Sequence, residues 1–191
     1  MSGCTHTVIA LRRELLTSNS GYDRSRPPEH GPTGPAAGLN NVRHRIEELL
    51  DEYRAALRGC VDGLTEDEVR LRLVSSKTTL LGLLKHATYL EGFYFDRAIT
   101  GRSFKDIGIA STPDRSFTLT KADTISSVQQ GHERRCEASR IAMAELAFEA
   151  TVHGDRVRSV WAIALQMLRE LAQHAGHADI LREQILALRS R

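Results

Sequence analysis

Along residues 160 to 186, Val160, Trp161, Ala164, Leu165, Leu168, Ala172 and Ala175, then Ile180, Leu181, Ile185 and Leu186, place apolar side chains at intervals of three and four. Only an α-helix gathers such positions on one side. A stripe this long needs other helices to cover it, and the chain supplies three more with the same period. Val42, Ile46, Leu49, Leu50, Tyr53, Leu57 and Cys60 predict a helix from near Asn41, broken at Asp62-Gly63-Leu64. Thr65 and Glu68 form a capping box for a short turn to about Leu73. Ser75, Ser76 and Thr78 are the candidate caps of a second helix through Leu80, Leu83, Leu84, Ala87, Leu90 and Tyr94 to about Ile99, with Thr100-Gly101 as its stop.

Residues 101 to 120 read as a long connection, of the kind that often borders a site. Thr120 to Asp123 then starts a third helix through Ile125, Val128, His132, Cys136, Ile141, Met143 and Leu146. His132 is expected to face water, since its neighbours are Gln, Glu and Arg. No strand is expected. Four helices and no internal repeat predict an all-α four-helix bundle.

The first 38 residues differ in kind. They hold four of the five prolines, in Arg26-Pro27-Pro28 and Gly31-Pro32-Thr33-Gly34-Pro35, and too few apolar side chains to offset their ordering entropy. We read 1–38 as a disordered tail and 39–191 as the folded domain. The net charge of +2, with both signs interspersed, gives no basic stripe for nucleic acid. No apolar run nears the roughly 18 residues of a membrane span. Cys4, Cys60 and Cys136 are odd in number and lack CxxC spacing, which suits a reducing cytoplasm, and none is an obvious nucleophile.

The densest chemistry lies in Glu170-Leu171-Ala172-Gln173-His174-Ala175-Gly176-His177. Glu170, His174 and His177 fall on one helical stripe, where a carboxylate and an imidazole one turn apart can share a metal ion. An ordinary solvated ion pair is the competing reading. Two ligands from one helix are incomplete, and His86, inside Leu80-Leu81-Gly82-Leu83-Leu84-Lys85-His86, is the candidate third. It sits beside Leu83 and Leu90 on the wheel, where a core histidine is the plainer alternative. A mid-helix glycine at 176 costs about 1 kcal/mol against Ala, so a close approach by a helix or a ligand is expected there.

Ser76 to His86, Trp161 and Glu170 to Glu183 together resemble the DinB-like metal-binding superfamily, and more closely its largely actinobacterial branch, a domain family of unknown function. The likeness runs over about residues 41 to 187. It implies an up-down-down-up bundle holding one divalent ion, zinc or nickel, through His86, Glu170 and His174. The Glu at 170, where many relatives have His, resembles mycothiol-dependent maleylpyruvate isomerase. Gly176 matches the family's glycine and His177 replaces a Gln, while Gln166 stands where close relatives often have His. The resemblance implies mycothiol or bacillithiol as a thiol partner and a small electrophile as the other, in a transferase or isomerase. His177 would then orient water or move a proton, or stand in as a ligand should Glu170 point away. Such bundles often pair as homodimers. A non-catalytic bundle binding a metal or an apolar ligand is the alternative, and a metal-assisted hydrolase a third.

Overall fold

Helices form at all four places where the apolar period falls. In this computed structural model, which describes residues 35–190, they are α1 Pro35–Gly59, α2 Leu80–Gly92, α3 Ile125–Ala144 and α4 Val160–Leu188. The expected tail lies outside the described residues except for 35–38, which already belong to α1. The α2 helix continues through a π-helical turn, Phe93–Arg97, and a last turn, Ala98–Thr100. Gly101, at φ +75°, then stops it in the left-handed conformation that glycine adopts without strain. Its cap is Thr79 rather than an earlier hydroxyl, accepting from the Gly82 amide at 3.1 Å. The Thr65 and Glu68 capping box is present, closing on the short 3-10 turn Glu68–Arg70.

Polar contacts at the ends fix the helix directions. Arg43, early in α1, donates to the carbonyls of Met143 and Leu146 at the end of α3, at 2.6 and 2.7 Å. Glu66, just past α1, accepts from the Ile125 amide that begins α3, so α1 and α3 run antiparallel. Lys85 of α2 bonds to Asp123, at 2.9 Å, and to the Thr118 carbonyl, both just before α3, so α2 and α3 run parallel. Arg182 near the end of α4 and Arg189 just past it reach the carbonyls of Cys60 and Gly63 just past α1, making α4 parallel to α1. The bundle is therefore up-down-down-up, and the 101–124 connection must carry the chain back along its length.

The core comes from all four helices and includes Leu50 and Leu57 of α1, Leu80, Leu83 and Leu84 of α2, and Ile163, Met167 and Leu171 of α4. Each such side chain contributes about 1.5–3 kcal/mol on burial. Two expectations need correction. The buried edge of α4 is Val160, Ile163, Ala164, Met167, Leu171, Ala175, Ala178, Leu181 and Ile185, while Trp161, Leu165 and Ile180 are exposed. Apolar residues surround much of this helix, so their period alone did not select the face. A short antiparallel hairpin, Thr151–His153 with Val157–Ser159, also precedes α4. Three-residue strands are too short for alternation to show.

Candidate functional site

His86 is buried on α2, two turns from the Thr79 cap. Gly82 decides what covers it. A Cβ there would lie 2.8 Å from the Phe117 carbonyl, so only glycine lets the 101–124 connection come this close to α2. One turn later that connection sets two groups against His86. The Phe117 ring stacks on the imidazole, centroids 4.0 Å apart and planes within 14°. Ser116 Oγ lies 2.6 Å from His86 Nδ1.

The Ser116 hydroxyl donates to the Pro113 carbonyl, so toward His86 its oxygen acts as acceptor. Nδ1 therefore carries the proton, and Nε2 presents a free lone pair. Burial, helped by the nearby His174, pushes His86 down to about 3, so the ring is neutral across the physiological range.

The α4 helix supplies the facing side. The His174 ring meets His86 edge to face, centroids 4.9 Å apart. Its Nε2 is 3.9 Å from Glu170 Oε2, while Oε1 of Glu170 accepts from Gln166 Nε2 at 2.9 Å. Burial pushes the Tyr94 hydroxyl pKa up, and the Gln166 side chain beside it holds that pKa down. Burial is the main cause lowering the His174 pKa; Glu170 opposes it and His177 adds to it. His174 Nδ1 is buried without a hydrogen-bond partner among the described residues. Leaving such an atom unsatisfied costs about 1–3 kcal/mol, a cost that a bound ion, or another ligand at this atom, would remove.

His86, Glu170 and His174 are thus brought together from two helices. By type the donors suit a first-row divalent ion, being two imidazoles, one with its tautomer fixed, and a carboxylate held from behind, but their ligating atoms do not all lie within 4.8 Å of one another. His177 stands apart on the exposed rim, its ring 5.8 Å from that of His174. The close approach expected at Gly176 is not there, since nothing lies within 4 Å of where its Cβ would be. Ser116, Phe117 and Tyr94 escape the sequence reading as site residues, and the length of the 101–120 connection is the only signal that a loop borders the site. A cleft of about 200 Å³ between α2 and α3 touches this site through Ser116 and Tyr89.

These residues sit in a stretch that a known family covers. The model of the family described as Mycothiol-S-transferase matches residues 45–187, most of the chain and all the groups just described. The chain belongs to this mycothiol S-transferase family. It is a DinB-like family, as the two sequence blocks led us to expect, and it suggests a mycothiol-related transferase. A comparison with curated proteins finds none that matches. Among the described residues, no helix is long and apolar enough to cross a membrane.

A second group of ligating side chains lies deeper. Glu91, His132 and Cys136 are all 0% exposed, and one ligating atom from each lies within 4.8 Å of the others. His132 therefore points inward, against expectation. Its hydrogen-bonding contact among the described residues is Cys136, one turn along the same helix, and the burial of that face leaves no mark among the polar neighbours of residue 132.

Proposed function

We propose that this protein is a metal-dependent S-transferase that joins mycothiol, or a similar low-molecular-weight thiol such as bacillithiol, to small electrophiles. The observation that supports this reading is the placing of His174 against His86 and beside Glu170, in a member of the mycothiol S-transferase family. These three side chains would hold zinc or nickel, and the ion would lower the pKa of a thiol placed beside it.

The protein's own groups do the rest. Ser116 keeps the proton on His86 Nδ1, so that Nε2 stays a ligand. Gln166 holds one oxygen of Glu170 and leaves the other toward His174. Phe117 and Tyr89 flank the His86 ring and keep water from it. His177, exposed and one turn beyond His174, takes the proton released as the thiol ionises and passes it to solvent. The thiolate sulfur then forms a bond to the electrophilic carbon, and the electron pair of the bond that breaks leaves with the displaced group or is protonated.

The test uses the full chain, purified without chelator or histidine tag. Metal content is measured on the wild type and on His86→Ala, Glu170→Ala and His174→Ala, beside electrophile consumption with and without thiol. We expect one equivalent at this site, lost in each variant, and turnover that saturates with thiol. Metal without thiol-saturable turnover over a broad electrophile panel would favour a non-catalytic binding bundle. No metal at this site after reconstitution would end the proposal.

A further inference from the structure

Glu91 lies five residues beyond His86 on α2 but on a different face, toward α1 and α3. There it meets His132 and Cys136, one turn apart on α3. Cys136 Sγ is 3.5 Å from His132 Nε2 and 3.7 Å from Nδ1. The sulfur therefore rests against the ring, nearly equidistant from its two nitrogens; a tetrahedral zinc ion, with nitrogen at about 2.0 Å and sulfur at about 2.3 Å, would keep roughly 3.5 Å to one nitrogen and needs the ring turned so that the other points away. Among the described residues, His132 has no hydrogen-bonding contact besides this sulfur, a weak partner for a fully buried imidazole.

Arg54 forms a fork on Glu91, with Nε and Nη2 each 2.8 Å from one carboxylate oxygen. A carboxylate offers about four lone-pair sites, so the fork still leaves acceptor capacity on Glu91. Hydrogen-bonded carboxylates of this kind are common around bound metals, where the outer partner fixes the ligand. Two clefts of about 230 and 210 Å³ flank the cluster, one reaching Arg54 and the other Glu91, with Phe95 and Ser139 in the wall of both.

We propose that Glu91, His132 and Cys136 form a second site, for a thiophilic divalent ion such as zinc, which clips α2 to α3 and is independent of the His86 site. Binding takes the proton from the Cys136 thiol: the ion and Cys–SH give the ion-bound thiolate and one released proton. The thiolate and Glu91 bring two negative charges against the ion's two, so with Arg54 on Glu91 the cluster keeps one net positive charge, and water fills the remaining position. Burial acts on the two side chains in opposite senses. It pushes His132 down to about 4, which keeps its lone pair available. It also pushes Cys136 up to about 12, with Glu91 adding to the effect, so the thiol stays unreactive until an ion arrives.

The experiment is a cobalt(II) titration of the chelator-stripped full chain under reducing conditions. It is run on the wild type and on a Cys4→Ser/Cys60→Ser variant, in which Cys136 is the remaining cysteine. The His86, Glu170 and His174 set contains no sulfur, so a thiolate-to-cobalt charge-transfer absorption in the near ultraviolet reports the second site alone. We expect that band in both proteins, and still in His86→Ala/His174→Ala. It should vanish, with one equivalent of bound cobalt, in Cys136→Ser. A natively folded Cys4→Ser/Cys60→Ser protein without the band at saturating cobalt would overturn the proposal. That result is distinguishable from failure of the transferase reading, because thiol turnover and the band are measured separately.

Discussion

Replacing Ser116 with Ala removes the only group that fixes the His86 tautomer. Ser116 is 2% exposed and His86 4%, and their contact is 2.6 Å, so no solvent stands ready to replace the lost hydroxyl. An Nδ1–H left buried without an acceptor costs about 1–3 kcal/mol. The ring escapes that cost by moving its proton to Nε2, the atom proposed to bind the ion. The penalty then falls on metal binding, where loss of such an outer partner typically costs 10–100-fold in affinity, or about 1.4–2.8 kcal/mol. The assay is competition for zinc between the apo protein and a chromogenic chelator, wild type against Ser116→Ala, with urea unfolding of both apo proteins alongside. A variant with unchanged zinc affinity would refute the tautomer argument, whatever happens to its stability.

Other expectations follow from named contacts. Gly176→Ala meets open space in mid-helix and should stabilise the protein by about 1 kcal/mol, raising the melting temperature by roughly 2–4 °C without changing metal content. Arg54→Met leaves Glu91 buried and unpaired, so urea denaturation should show a loss of about 3–5 kcal/mol. His86 and His132 have folded pKa values of about 3 and about 4, below the ordinary value of 6.5. Above pH 6.5 both states are neutral and nothing is lost. Below it the unfolded chain takes up protons that the fold refuses, so apo stability should fall by up to about 1.4 kcal/mol per pH unit for each ring, until the pH nears the folded values. A urea midpoint that stays level from pH 7 to pH 5 would contradict this. His177→Ala should retain the metal at His86 while lowering kcat and altering the pH profile of turnover.

Four helices were legible because their apolar period survives in the sequence, and so was the juxtaposition of Glu170 and His174, which needs only one turn of helix. His86 could be paired with them because it lies near the buried edge of a second helix. What could not be read comes from tertiary contacts. Ser116 reaches His86 from a connection whose path depends on Gly82, thirty-four residues earlier. The polar neighbours of His132 along the chain point to an outward side chain, whereas in the fold it packs against Cys136 and within 4.8 Å of Glu91 from α2, a proximity its own segment does not announce. Along α4, apolar side chains on several faces hid which one the bundle would cover.

The wide turn at Phe93–Arg97 gives α2 two phases. Such a turn holds about one residue more than an α-helical turn would, so the side chains after it are rotated by roughly 100° from where an unbroken helix would put them. Upstream, His86 answers to α4 and to the 101–124 connection; downstream, Ala98 is fully buried, and its carbonyl lies so close to Gly154 of the hairpin that a Cβ there would come within 2.3 Å. The extra residue behaves as an insertion kept for its angular offset. Deleting one residue between 93 and 97 would restore a regular helix and turn Ala98 out of the core, leaving the hairpin around Gly154 without the backbone it closes on.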